Sequence, residues 1–283
     1  LMPALPPGEG GFSLLDSNQS LWGGSPIFFF FFYHLFTSLM LDQCTLPFWL
    51  TNSVVVRGES EKPEGPYKLE QVVLPPRGAS HWDGMTTHNP TIHQASDGTY
   101  LLYYMGTTFA EARPNCSAGY GPKPPGYPRN STTSPHNAQR LGLATSSSIT
   151  GPWTRRDAPV LQPGLPGAWD DQITTNPAAV VLRAANGSKS NQILLGYKSQ
   201  AWADWLKGTV AIHYGFARAE HYDGPYEKLT SKQPILTSLC GGDVHNTSRE
   251  SSLEIDETSS QMVGRRNHEK RRRVGRDARR LDG

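Results

Sequence analysis

With 283 residues, 28 glycines and 23 prolines, the chain suits one large domain or two small ones, and its many turn formers exclude a bundle of long helices. Apolar residues at 36% and aromatics at 10% make a globular composition. A net charge of +2 gives the chain as a whole no argument for a nucleic-acid partner.

Residues 1–20 carry no strand or helix pattern and are expected to be irregular. No signal peptide is legible there. The chain opens on Leu1 rather than Met, so its natural start is expected to lie upstream. A first unit, 21–78, opens on Ser25-Pro26, a polar residue before a proline at a strand's beginning, where the ladder loses no needed donor. An aromatic strand from Tyr33 to Ser38 follows, then Ser53-Val54-Val55-Val56-Arg57, a Gly65-Pro66-Tyr67 turn and an outer Val72-Val73-Leu74 strand. The apolar run Ile27–Leu41 falls short of the roughly 20 residues of a spanning helix. His34, Thr37 and Ser38 also interrupt it, so a buried strand is expected and no membrane contact. Five consecutive phenylalanines, Phe28 to Phe32, fill a slot where a turn would want Gly, Asp or Asn.

A second unit, 79–162, repeats the order: Asn89-Pro90, an aromatic strand from Tyr100 to Met105, Leu141-Gly142-Leu143-Ala144-Thr145, Gly151-Pro152-Trp153 and Pro159-Val160-Leu161. Its turn slot reads Ser96-Asp97-Gly98. A third, 163–236, gives Asn176-Pro177, a strand from Ile193 to Lys198, Tyr214-Gly215-Phe216-Ala217-Arg218, Gly224-Pro225-Tyr226 and Pro234-Ile235-Leu236. The prolines at the strand starts lie 64 and 87 residues apart, which fits blades with loops of variable length. Four strands in one order, repeated, make the blade of a β-propeller. The expected fold is therefore all-β, with about three four-stranded blades, fewer than the roughly four to eight that close a ring.

Residues 237–283 form a polar and basic tail of disordered composition. Its arginines, Arg271-Arg272-Arg273 among them, read as a solvated tail rather than a nucleic-acid patch, because acidic residues are interspersed and no aromatic is present to stack on bases. The tail and the phenylalanine run together are expected to be faults of the gene model. Cys44, Cys116 and Cys240 are an odd, sparse set that announces neither a disulfide framework nor a metal site. Sequons at Asn18, Asn115, Asn130, Asn186 and Asn246 lend modest support to a secreted protein.

Residues at the start of innermost propeller strands face the central channel. The positions are Ser25, Asn89 and Asn176, with His88 and Thr175 beside them. Upstream segments add Trp22, then His81, Trp82 and Asp83, then Trp169, Asp170 and Asp171. Aromatic faces stack on sugar rings while amides, imidazoles and carboxylates bond to hydroxyls, so the set suits a carbohydrate. The competing reading makes the tryptophans packing residues and the asparagines turn formers before proline. Glycoside hydrolysis needs two carboxyl groups, and Asp83, Asp170 and Asp171 are the candidates. None of the three strand starts itself carries a carboxylate. Trp202, Asp204 and Trp205 are expected to pack a loop of the third unit against its blade.

His88-Asn89-Pro90-Thr91-Ile92, with Asp97-Gly98-Thr99-Tyr100-Leu101-Leu102-Tyr103-Tyr104, resembles a blade of glycoside hydrolase family 43. So do Thr175-Asn176-Pro177-Ala178 and the run from Ala144 to Trp153. The resemblance covers about Leu21 to Leu236. It implies a β-propeller of the five-bladed type and inverting hydrolysis of arabinose- or xylose-containing glycans. It also implies an Asp base on the first blade, a second Asp tuning its partner's pKa and a Glu acid on a later blade. This chain departs from that pattern: the Asp-Pro positions read Ser25-Pro26 and Asn176-Pro177, and the pattern ends at Leu236, before the acid. Neither Ser nor Asn serves as a general base near neutral pH. The expected function is thus a secreted glycoside-hydrolase-like protein acting on plant-type polysaccharides or oligosaccharides, without cofactor or metal. A non-catalytic carbohydrate-binding propeller is the alternative, and a structural or protein-binding propeller a third.

Overall fold

In the computed structural model, which describes residues 20–118, 134–183, 187 and 189–239, each four-part sequence unit becomes one antiparallel sheet. The first sheet runs β1 (Leu21–Phe29), β2 (Phe32–Met40), β3 (Ser53–Ser60) and β4 (Lys68–Leu74). The second runs β5 (Thr86–Gln94), β6 (Tyr100–Thr107), β7 (Arg140–Ser146) and β8 (Thr154–Arg155). The third runs β9 (Ile173–Arg183), β10 (Lys189–Gln200), β11 (Ala211–Ala219) and β12 (Glu227–Lys228), with β13 (Leu236–Leu239) also pairing with β11. The strand order in space follows the chain, as blades of a propeller require. Among the described residues two short α-helices occur, α1 (Trp49–Asn52), between β2 and β3, and α2 (Trp202–Leu206), between β10 and β11. Most of the N-terminal segment, most of the tail, Cys240 and the sequons at Asn18, Asn130, Asn186 and Asn246 lie outside the described residues.

The aromatic strand of the middle unit shows why its sequence is apolar without alternation. Tyr100, Leu102 and Tyr104 of β6 join Phe36, Val55 and Leu74 in a core shared with the first sheet. Leu101, Tyr103 and Met105, on the opposite face, join Ile193, Leu195 and Tyr197 of the third. A strand buried on both faces has no polar side to show. At roughly 1.5–3 kcal/mol for each fully buried large side chain, this one strand is a principal source of inter-sheet cohesion.

The three Gly-Pro-aromatic triplets share one conformation. Each Gly-Pro bond is cis, and Gly65, Gly151 and Gly224 have φ of +88°, +89° and +83°. The tyrosines of two triplets also make the same bond: Tyr67 donates to the Pro63 carbonyl at 2.8 Å and Tyr226 to the Tyr222 carbonyl at 2.7 Å.

The apolar run Ile27–Leu41 is strand, not helix, and no helix among the described residues is long and apolar enough to cross a membrane. Its phenylalanines close a hairpin. Phe30 and Phe31 are the two turn residues, at φ +47° and +75°, and are 75% and 77% exposed. The turn therefore falls where the repeat demands it, with side chains ill suited to it.

The cysteines depart from the expectation. Cys44 and Cys116 form a disulfide across 72 residues of sequence. It ties the β2–β3 connection to the β6–β7 connection. Asn52 reinforces it by donating to the Pro114 carbonyl at 2.8 Å, and the Cys116 amide donates to the Asp42 carbonyl at 3.0 Å. Two cysteines on different blades meet only after the sheets pack, so their spacing carries no signature.

Candidate functional site

Near its start each inner strand carries a bulge, two residues standing opposite one on the neighbouring strand. Gly23-Gly24 lie opposite Thr37, Asn89-Pro90 opposite Tyr104 and Asn176-Pro177 opposite Tyr197. The first residue of each pair has a left-handed backbone, with φ of +64°, +48° and +50°. Glycine and asparagine are the residues that tolerate this conformation most readily.

This corrects the alignment of the first unit. The residue equivalent to Asn89 and Asn176 is Gly23, two positions before Ser25. A Gly-Gly pair meets the backbone requirement without the Asx-Pro signature that marks the other two. Ser25 instead ties the sheets together, its hydroxyl accepting the Ile92 amide at 3.0 Å.

The three bulges converge. Asn89 Nδ2 donates to Asn176 Oδ1 at 2.9 Å, across 87 residues of sequence. The Thr175 hydroxyl also donates to Asn176 Oδ1 at 2.9 Å. A Cβ built on Gly23 would lie 3.4 Å from Asn89 Oδ1, so the glycine backbone borders the amide pair. Ser38 accepts the Asn89 amide at 2.9 Å, and the Thr37 hydroxyl donates to the Gly23 carbonyl at 2.7 Å. Both asparagines are partly exposed. Among the described residues no hydrogen bond is made by Asn89 Oδ1 or Asn176 Nδ2, so the pair keeps one acceptor and one donor open.

The surroundings of this cluster come from the connections at the same end of the sheets. His88 is buried against Trp49, ring centroids 5.1 Å apart, and its Nδ1 lies 2.7 Å from the Ser53 hydroxyl. Burial pushes its imidazole down to about 3, so it is neutral at physiological pH. His136 of the β6–β7 connection stacks on Trp205 of α2 with centroids 4.4 Å apart. Asp204 meets His213 Nε2 at 3.1 Å and so holds α2 to β11. Trp22 packs on Met40, Cys44 and Phe48. Trp49 and His136 lay beyond the sequence reading, because the loops that supply them follow no repeat, whereas Asp204 holds its loop to the third sheet as expected.

The candidate acids lie elsewhere. Asp83 is 0% exposed; Arg77 Nε reaches Oδ1 at 2.7 Å, while Tyr104 donates to Oδ2 at 2.6 Å and Arg155 Nη1 stands 3.4 Å from it. Asp170 is 2% exposed; its Oδ2 accepts from Tyr197 at 2.9 Å and from Lys228 at 2.5 Å. The tryptophan before each acid stacks on the same tyrosine, Trp82 on Tyr104 and Trp169 on Tyr197, with centroids 5.9 and 5.8 Å apart. Gly142 and Gly215 on the third strands leave room for these rings, since an added Cβ would lie 2.6 Å from Tyr104 and from Trp169 respectively. The two sheets thus share one internal staple: Trp-Asp before the inner strand, Tyr on the second, Gly on the third and a cation on the fourth. Its signal was present in the sequence, because Trp-Asp recurs at the same separation as Asn-Pro. Asp171 is partly exposed, and its two oxygens accept the amides of Gly167 and Trp202, both at 2.8 Å.

No family model matches the chain, and no curated protein does. Among solved structures it is similar to Zg3597, a family 117 glycoside hydrolase of the marine bacterium Zobellia galactanivorans. Identity is 21%, coverage is 75% of this chain and 56% of that one, and the TM-score is 0.53. A thermostable family-43 glycoside hydrolase gives 15% identity, 76% and 55% coverage and a TM-score of 0.47. An alpha-L-arabinofuranosidase from Lactobacillus brevis gives 11%, 74% and 55%, and 0.46. The chain spans about half the length of these structures. They are five-bladed propellers, and the likeness is one of fold.

Proposed function

We propose that the chain recognises arabinose- or xylose-containing glycans at the three converging bulges, as the sugar-binding part of a glycoside-hydrolase-type propeller. The observation that carries this reading is the Asn89–Asn176 amide pair. Its internal bond fixes both side chains and leaves one donor and one acceptor of the pair open, the groups that sugar hydroxyls bond to. An amide and a glycine cannot exchange the proton that glycoside cleavage needs, and Asp83 and Asp170 are committed to buried partners. The described blades therefore supply recognition rather than an acid–base pair. The Cys44–Cys116 disulfide supports an extracellular setting, since such bonds persist in oxidising compartments.

Hydrolysis is the second reading, favoured by the fold shared with the family 117 enzyme. Calorimetric titration with arabino- and xylo-oligosaccharides, run beside a reducing-sugar assay, separates the two. We expect saturable binding without turnover, weakened about tenfold by Asn176→Ala through loss of roughly one hydrogen bond to the ligand. Sugar release that survives in Asn176→Ala would replace the binding reading with the hydrolytic one.

A further inference from the structure

Among the described residues one sequon, Asn115-Cys116-Ser117, has its middle residue in the disulfide. Asn115 is exposed, and its Oδ1 accepts both the amide of Ser117, at 3.0 Å, and the Ser117 hydroxyl, at 2.5 Å. The residues on either side of it are pinned to the first blade. The Pro114 carbonyl accepts from Asn52, the Cys116 amide donates to Asp42, and the Cys116 sulfur is bonded to Cys44, itself fully buried. The asparagine side chain is thus presented to solvent from a segment that cannot extend once the disulfide has closed.

We propose that Asn115 is an N-glycan acceptor whose occupancy is set by a race between glycan transfer and closure of the Cys44–Cys116 disulfide. The reagent is a lipid-pyrophosphate-linked oligosaccharide. The Asn115 Nδ2 forms a bond to the anomeric carbon, the bond from that carbon to the pyrophosphate oxygen breaks, the amide loses one proton to a base of the transferase, and the lipid pyrophosphate leaves. A transferase must draw the acceptor tripeptide into its own site, which an open loop permits and a cross-linked turn does not. Before closure the 72-residue separation leaves Cys116 free of blade one, and the sequon is an ordinary flexible acceptor. The β6–β7 connection lies at the end of the sheets where the inner strands begin, so Asn115 is carried at the same end as the proposed sugar site.

This inference rests on the extracellular reading only in that the chain must meet the transferase, and the test removes that dependence. The full chain is expressed in a eukaryotic cell behind a cleavable secretory leader. Amidase release of glycans in heavy-oxygen water then marks each former acceptor as a heavy aspartate for peptide mass spectrometry. We expect a fraction of Asn115 to be marked, none in Ser117→Ala, and a rise of about twofold in Cys44→Ser, because disulfide closure on a timescale of seconds upward competes with transfer. A reducing pulse on the unaltered chain should give the same rise without a substitution. Asn115 unmarked in the unaltered chain, in Cys44→Ser and after the pulse would overturn the acceptor. Equal occupancy with and without the disulfide would overturn the race. Recovery of the native protein from the cytosol with both thiols free would sink the extracellular reading, and with it the natural occupancy of Asn115, while the marking of the leader-directed chain would still decide whether the tripeptide is an acceptor.

Discussion

Asp83 exposes no surface, and its carboxylate is shared among Arg77, Arg155 and Tyr104. Removing it strands two guanidinium groups in a poorly solvated site, and breaking such a buried pair costs about 3 kcal/mol. Asp83→Ala should lower the urea midpoint accordingly, whereas Asp171→Ala, which frees two loop amides near solvent, should cost about 1 kcal/mol or less. His88 ties stability to pH in a definite direction. Its imidazole stays neutral in the fold down to about 3 but takes up a proton near 6.5 in the unfolded chain. Across that window the unfolded state binds more protons, so stability is full above about 6.5 and falls as pH drops, by up to about 1.4 kcal/mol per pH unit. His34, lowered by burial and then by Arg57, acts with the same sign. Urea titrations at pH 7 and pH 5 should show a smaller difference in His88→Gln than in the unaltered chain. At this scale the places of Asn89 and Asn176 at the strand starts were legible, because Asn before proline recurs there in two units. Gly23 was not, since Gly-Gly has many. Asp83 read as a candidate acid, and Trp82 as a sugar ligand or a packing residue, because a sequence cannot say whether a polar or aromatic side chain faces water or a neighbour.

The hairpin between β1 and β2 places Phe30 and Phe31 in left-handed conformations, which cost a bulky residue roughly 1–2 kcal/mol each. Replacing the pair by Asn-Gly should stabilise the chain by about 2 kcal/mol and reduce self-association, because the exposed aromatic surface shrinks as the turn relaxes. Thermal unfolding and static light scattering at one concentration read both effects. The slot was legible, since Asp97-Gly98 fills its counterpart in the second unit with residues that suit a turn. The strands were legible for the same reason: β6 is apolar throughout because both its faces are covered. The Trp-Asp, Tyr, Gly and cation staple went unread because its parts are scattered over three strands and the segment before the first, and only the register brings them together.

Across the whole molecule the three sheets were legible as repeats, while the bond joining two of them was not. Cys44 and Cys116 close a long loop, and a cross-link over 72 residues constrains the unfolded chain by about 4 kcal/mol in the loop-entropy account. The double variant Cys44→Ser, Cys116→Ser should show that loss as a lower denaturant midpoint with the native circular dichroism retained below it. The family-43 resemblance pointed to the right architecture, because propeller blades repeat their backbone demands even where identity to a solved structure is 21%. It could not say what the central cluster does, because function there depends on single side chains that the backbone leaves partly free.

That partial freedom has a genetic reading. At a left-handed bulge the tolerated residues are few, chiefly glycine, asparagine and aspartate. In the genetic code an asparagine codon becomes an aspartate codon by one base change, and so do half of the glycine codons. Asn89 and Asn176 therefore sit one mutational step from a carboxylate, and so does Gly23 where its codon is one of that half, on backbones already shaped to hold it. A lineage can gain or lose charge at the centre of these blades without disturbing the fold that carries it.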